Sequence, residues 1–375
     1  NEGGLFMKRK ILALVMIMVL SLTLLAGCGG DSGENGNAGT TEKVSWKLAS
    51  CWTDGTWMFQ IDSDFCDTVS RLTNGNFTIT PYGVGQLGAA TEVFDLVQGG
   101  TVQAGGDWPS YWAGKDIGFD LLATTMFNFT NWDYYLWIYQ GGGWDDAYNY
   151  MFNQFGMMYF PTTTTPMESG IRSNKPINSI KDMQSMKIRF AGKIQGLVAD
   201  KLGITPVSIS ADELYEALMR GTIDAAEYSG RGNDLDMNIQ EVTKYWLVPG
   251  WHQTSSVYGV MVNKAAYEAL PEAYQQALYD AAKLSMADKQ AAYVWRDAEA
   301  TGKILDTGVK TTTLPEEDMN KIYEAFVEAT KECCAESENY AHVWDSMMKY
   351  RETMNDWREA QVDWDFGINF DESSF

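Results

Sequence analysis

Between residue 271 and about residue 305 the chain carries a nearly unbroken helical pattern of roughly thirty-five residues. At a rise near 1.5 Å per residue such a helix reaches about 50 Å, more than one ordinary domain needs. A segment that long predicts a brace laid across two lobes. The remaining elements fit around it. Residues 44–49 alternate as a strand, and 60–72 place Ile61, Phe65, Val69 and Leu72 at helical spacing before Asn74-Gly75. Residues 77–82 read as a second strand, and 92–97 as a second helix ended by Gly99-Gly100. A second unit repeats the alternation, with strands at 186–190, 205–208, 223–227 and 257–262. Its helices fall at 196–202 and 211–220, the latter capped by Ser210 with Glu213 three residues on. This alternation implies parallel or mixed sheets with crossover helices. Residues 319–356 continue helical, and an aromatic tail (Trp357, Trp364, Phe366) follows.

The N-terminal segment obeys different rules. Met7-Lys8-Arg9-Lys10, the apolar run 11–26 and Leu25-Ala26-Gly27-Cys28 together spell an export signal of the lipoprotein type. The run is short for a membrane span and lacks a basic stop-transfer cluster. Residues 1–27 are therefore expected to be removed, with Met7 the natural start and Cys28 carrying a diacylglyceryl anchor to the membrane. Residues 28–43 read as a flexible linker. The formal net charge is −22, and losing Lys8, Arg9 and Lys10 against Glu2 makes it more negative. Nucleic acid is excluded as a partner, because a phosphate backbone needs clustered cations that this chain lacks. If such a protein captures an anion, it must do so through one well-placed cation rather than a general field.

Export permits a Cys51–Cys66 disulfide. Mostly free, packed thiols are nevertheless expected for Cys51, Cys66, Cys333 and Cys334, because no C-x-x-C pattern is present and a chain this size needs no staples. Between Trp108 and Phe160 the sequence turns aromatic, which is the composition of a packed core. Gly141-Gly142-Gly143 within it lacks the strand-to-helix context and the Lys-Ser/Thr of a phosphate loop.

Several segments carry a family resemblance. They are Tyr111-Trp112-Ala113-Gly114-Lys115, the triple glycine, Ser179-Ile180-Lys181-Asp182-Met183-Gln184-Ser185-Met186-Lys187-Ile188-Arg189, and the stretch from Glu213-Leu214-Tyr215 to Ala225-Ala226-Glu227. In this order and spacing they resemble the extracytoplasmic solute-binding proteins of TRAP transporters, the DctP type, over nearly the whole chain from about Trp46. Val248-Pro249-Gly250-Trp251-His252-Gln253 is similar to the branch that binds 2-oxo or 2-hydroxy monocarboxylates through a metal ion. The resemblance implies an α/β, two-lobe periplasmic-binding-protein-like fold with the long helix bracing both lobes. Lobe 1 would span 44–165, with 255–315 returning to it in part, lobe 2 would span 166–254, and C-terminal helices 316–375. It also implies a ligand cleft that closes on substrate and presents it to a membrane permease. A homodimer through the C-terminal helices is a further feature of some members.

Arg189 ends a strand and matches the family arginine that grips the substrate carboxylate; its guanidinium offers a bidentate fork for that task. Arg172 is the nearest competitor. Glu227 ends a strand directly after apolar residues, where an acid is costly without a cation or donors. By resemblance Glu227 is a metal ligand, joined by the carbonyl of Tyr228 (where the branch usually has Trp), by Gln253 and by Glu168. Such an all-oxygen set with two carboxylates favours calcium or another divalent cation over sodium. Asp107, Tyr111 and Trp52 are the first-lobe candidates for contacting substrate, with Tyr228 from the second. His252 and His342 are the only histidines and no nucleophile context accompanies them, so His252 reads as a structural donor and no catalytic triad is expected. Two other readings are an extracellular metal-dependent hydrolase or lyase and the ligand-binding subunit of a sensor, of which the first lacks an H-E-x-x-H signature.

Overall fold

The computed structural model describes residues 42–209 and 211–360. The export signal, Cys28, most of the linker, the Ser210 cap and the tail from 361 onward lie outside the described residues. The chain first lays down β1 (Val44–Ser50), β2 (Phe77–Tyr82), β3 (Ala104–Asp107), β4 (Thr124–Thr125) and β5 (Met157–Thr164). It then enters a second sheet with β6 (Ile171–Ser173), β7 (Lys187–Arg189), β8 (Thr205–Val207), β9 (Ala225–Ala226) and β10 (Tyr245–Leu247). It returns to the first with β11 (Ser255–Asn263) and ends in the second with β12 (Lys310–Thr312). The first sheet has the order β2-β1-β3-β11-β4, with β5 also on β11; the second runs β12-β10-β6-β9-β7-β8. Parallel pairs (β1 with β2 and β3, β7 with β8 and β9) are joined by crossover helices, and β11 closes its sheet antiparallel to β3. This is a two-sheet α/β fold. The pairing of β12 with β10 carries the chain back to the second sheet after the long helix.

The helix Trp57–Leu72 shows why these elements form. Thr56 caps it by accepting from the Phe59 N–H, which starts the helix three residues before the apolar pattern does, and Ile61, Phe65, Cys66 and Val69 face the sheet. The helix Glu272–Asp306 has Pro271 at its cap and runs its full predicted length. Its side chains reach both halves: Lys289 pairs with Asp64, Gln290 accepts from Thr164, and Arg296 donates to Asn233. The C-terminal pattern is not one helix but two, Glu316–Glu336 and Glu338–Ala360, because the Ser337 backbone is extended at φ −132°, ψ 115°. They pack on their own chain, through Lys201 with Glu332, Asn339 with Asp116, and Tyr350 with Asp133.

The aromatic run supplies core, including Trp112, Phe119, Tyr134, Trp137 and Tyr148. A Cβ at Gly143 would strike the Trp137 ring, so this glycine serves close packing. All four described cysteines are free thiols.

Candidate functional site

A cavity of about 370 Å³ is lined by residues of both halves. Trp52 follows β1, Met58 opens the first helix, Trp108 and Tyr111 follow β3, and Tyr258 lies in β11. From the other side come Arg189 at the end of β7, then Ala191, Tyr228 and Ser229 after β9, Asn233 in the helix Arg231–Asp236, and two crossing-segment residues, Glu168 and Gln253. Strand ends facing a crevice are where α/β sheets place ligands.

Arg189 is fixed by three contacts. Its Nε donates to the Ile209 carbonyl (3.3 Å), and its Nη1 to the backbone carbonyl (2.9 Å) and carboxylate (3.0 Å) of Glu227. That geometry leaves Nη2 for a ligand. Glu227 Oε1 also accepts from the Ala191 N–H at 2.6 Å, while Oε2 is buried without a hydrogen-bond partner. Glu168 accepts from Gln253 Nε2 (2.7 Å) and Ser256 Oγ (3.3 Å). His252 Nε2 lies 3.2 Å from Glu168 Oε2 and 3.8 Å from Glu227 Oε2. One ligand atom each from Glu168, Glu227 and His252 therefore falls within 4.8 Å of the others.

Burial dominates the electrostatics. It pushes the Glu168 carboxyl well up, reinforced by Asp234 and opposed by Arg189. Glu227 is also raised by burial, against the pull of Arg189 and then His252. His252 is lowered by burial, with Glu227 opposing. Two buried carboxylates close together, one oxygen of the pair unpartnered, fit a hard cation. The fit is incomplete in one respect: the Gln253 amide presents its nitrogen to Glu168, while its oxygen accepts from Gln195, so it must turn to offer oxygen.

Of the residues singled out in the sequence, Trp52, Tyr111, Glu168, Arg189, Tyr228 and Gln253 line the cavity. Glu227 does not; it holds Arg189. Asp107 does not either, a correction to its expected place at the substrate. It is fully buried in β3 opposite Gly259 and accepts from the Trp112 indole, so the strand turns it into the protein. Arg172 is likewise removed from the site: it pairs with Asp234 at 3.0 Å and lies 4.0 Å from the Trp246 ring centroid.

The model of the DctP family, described as bacterial extracellular solute-binding protein family 7, matches residues 48–337. The chain belongs to this family. A monocarboxylate 2-oxoacid-binding periplasmic protein of Nostoc sp. is 28% identical over 357 residues, covering 94% of this chain and 96% of the relative. Two solved TRAP periplasmic solute-binding proteins are each 30% identical and cover 88% of this chain and all of their own. The one from Pseudoalteromonas atlantica holds sodium and pyruvate (TM-score 0.79), and the one from Colwellia psychrerythraea holds calcium and pyruvate (TM-score 0.80). For this DctP protein, sequence reasoning missed Met58, Trp108, Ser229, Asn233 and Tyr258 as lining residues. They come from separate segments with no local motif, and the aromatic density that begins at Trp108 reads as core rather than as a site.

Proposed function

We propose that the chain is the extracytoplasmic receptor of a TRAP transporter, capturing a small 2-oxo or 2-hydroxy monocarboxylate between its two halves and delivering it to a membrane permease. The observation that carries this reading is Arg189, held by Glu227 with one terminal nitrogen left over, in a small cavity beside a second buried carboxylate. The expected bidentate fork is therefore not on offer: Nε and Nη1 are spent on the protein, and the one remaining nitrogen, Nη2, suits one carboxylate better than two. Glu168 and Glu227, with the Gln253 amide turned and the Tyr228 carbonyl, would hold a calcium or sodium ion, as the pyruvate-bound relatives do hold one. A bound cation supplies positive charge that a substrate's carboxylate or 2-oxo oxygen can share. The protein's own part is to fix Arg189, to wall the ligand's apolar portion with Trp52, Tyr111 and Tyr258, and to exclude water. An anchor on Cys28 and a homodimer through the C-terminal helices, the latter tested by light scattering, complete the proposal. Catalysis is not part of this reading.

A thermal-shift screen against small carboxylates tests it, since a ligand that binds only the folded state raises the melting temperature. Pyruvate or lactate is expected to raise it and simple sugars are not. No shift with any carboxylate overturns the proposal.

A further inference from the structure

Trp108, one of the wall residues contributed by the first sheet, carries a buried polar atom without a partner. Trp108 follows β3, is 4% exposed, and packs edge-on against Tyr111 with ring centroids 5.3 Å apart. Its indole Nε1 is buried with no hydrogen-bond partner. Nearby indoles are treated differently: Trp112 donates to Asp107, Trp137 to Ser346, Trp144 to the Tyr159 carbonyl, and Trp246 to the Ser169 carbonyl. Trp57 and Trp251 also have unpartnered Nε1 atoms, but among the described residues only Trp108 combines that state with a place on the cavity wall. A buried donor left unmade is costly, so one retained at a ligand cavity requires a reason.

We propose that the Trp108 N–H donates to an oxygen of the bound ligand, so that the ligand is gripped from both sheets, by Arg189 on one side and by Trp108 on the other. This rests on the carboxylate-receptor reading above and deepens it. An indole N–H donates only. Trp108 therefore accepts ligands that present an oxygen lone pair there, as 2-oxo and 2-hydroxy acids do. A 2-amino acid that turns its ammonium toward Trp108 offers no acceptor there. The contact also supplies a reason for the first half to close on an occupied second half.

Calorimetric titration of the wild-type protein and Trp108→Phe with pyruvate and alanine, calcium present, is the test. The phenyl ring keeps an apolar wall and removes the donor. Pyruvate is expected to bind the wild type and alanine not. In the variant pyruvate should weaken by roughly tenfold, while the unliganded melting temperature stays level or rises because an unmet donor is gone. Should the variant fold poorly, a crystal structure of the wild type with pyruvate decides: a ligand oxygen within about 3.2 Å of Nε1 supports the proposal. Equal pyruvate affinity in both proteins, or no ligand oxygen near Nε1, overturns the Trp108 assignment alone. Failure of the wild type to bind pyruvate or any related acid overturns the receptor reading and this assignment with it.

Discussion

Glu227 Oε1 takes both the Arg189 guanidinium and the Ala191 N–H, while Oε2 faces His252 at 3.8 Å with no hydrogen bond. Removing the arginine therefore leaves a buried acid without its cation. Arg189→Ala is expected to abolish carboxylate binding and to lower the stability of the unliganded protein by about 3 kcal/mol or more. Arg189→Lys keeps the charge but cannot hold Glu227 and Ile209 while offering a further nitrogen to the ligand, and should weaken binding by on the order of tenfold with a smaller stability loss. Denaturation curves beside calorimetry separate the two effects. A second residue-scale prediction concerns the acids behind the aromatic wall. Burial, with Asp107 adding and the Ser50 hydrogen bond opposing, pushes Asp62 up to about 8, and burial pushes Asp107 to about 7. Unfolded aspartates titrate near 3.9, so between about pH 4 and pH 8 the folded state binds more protons than the unfolded one. Their contribution is complete below that window and is lost as pH rises through 7 and 8. Asp62→Asn should flatten the fall in melting temperature between pH 5 and 8; a profile as steep as wild type contradicts the assignment. Arg189 and Gln253 lie in segments that resemble family motifs, whereas 161–170 departs from the pattern and Glu168 was placed only by its neighbourhood; all three line the cavity. Asp107 was misread because nothing in Ala-Gly-Gly-Asp says to which face of β3 the last side chain turns.

Short elements hold the acids in place. The crossing segment that carries Glu168 is pinned by the Glu168 N–H donating to the Gln253 carbonyl (3.1 Å) and the Ser169 N–H to the Ser229 carbonyl (3.0 Å). Gly170 adopts φ +106°, and a Cβ there would run into the Leu247 carbonyl; a Cβ at Gly250 would run into the carbonyl of Glu168 itself. Gly250→Ala is accordingly predicted to displace Glu168 and to weaken ligand and cation binding by tenfold or more, on the order of a lost buried contact. Calorimetry with calcium and pyruvate reads this, and unchanged affinity for both contradicts it. Such detail was invisible beforehand. The strands β6, β10 and β12 are three residues long, too short to show a period, and their place is set by the sheet rather than by local preference. The 35-residue helix lies at the other extreme: its length and its Pro271 start were plain in the sequence because a long periodic segment accumulates signal.

At the scale of the molecule, that helix ties the two sheets together. The Tyr293 hydroxyl meets Asn233 and Ser229 from the second half and lies 3.5 Å from Met58 Sδ of the first, so one side chain touches three elements around the cavity's edge. The C-terminal helices add a second strap, Lys201 holding Glu332 on one side and Asn339 holding Asp116 on the other. A net charge of −22 means that no general field assists an anion, and the site must supply its own positive charge. We propose that Arg189 and a cation held by Glu168 and Glu227 supply it together. Titrating the purified protein with pyruvate, first with calcium and then after exhaustive chelation, tests that claim most directly. Binding that weakens at least tenfold without the ion and returns when it is restored is the predicted result. Equal affinity in both conditions would contradict the account.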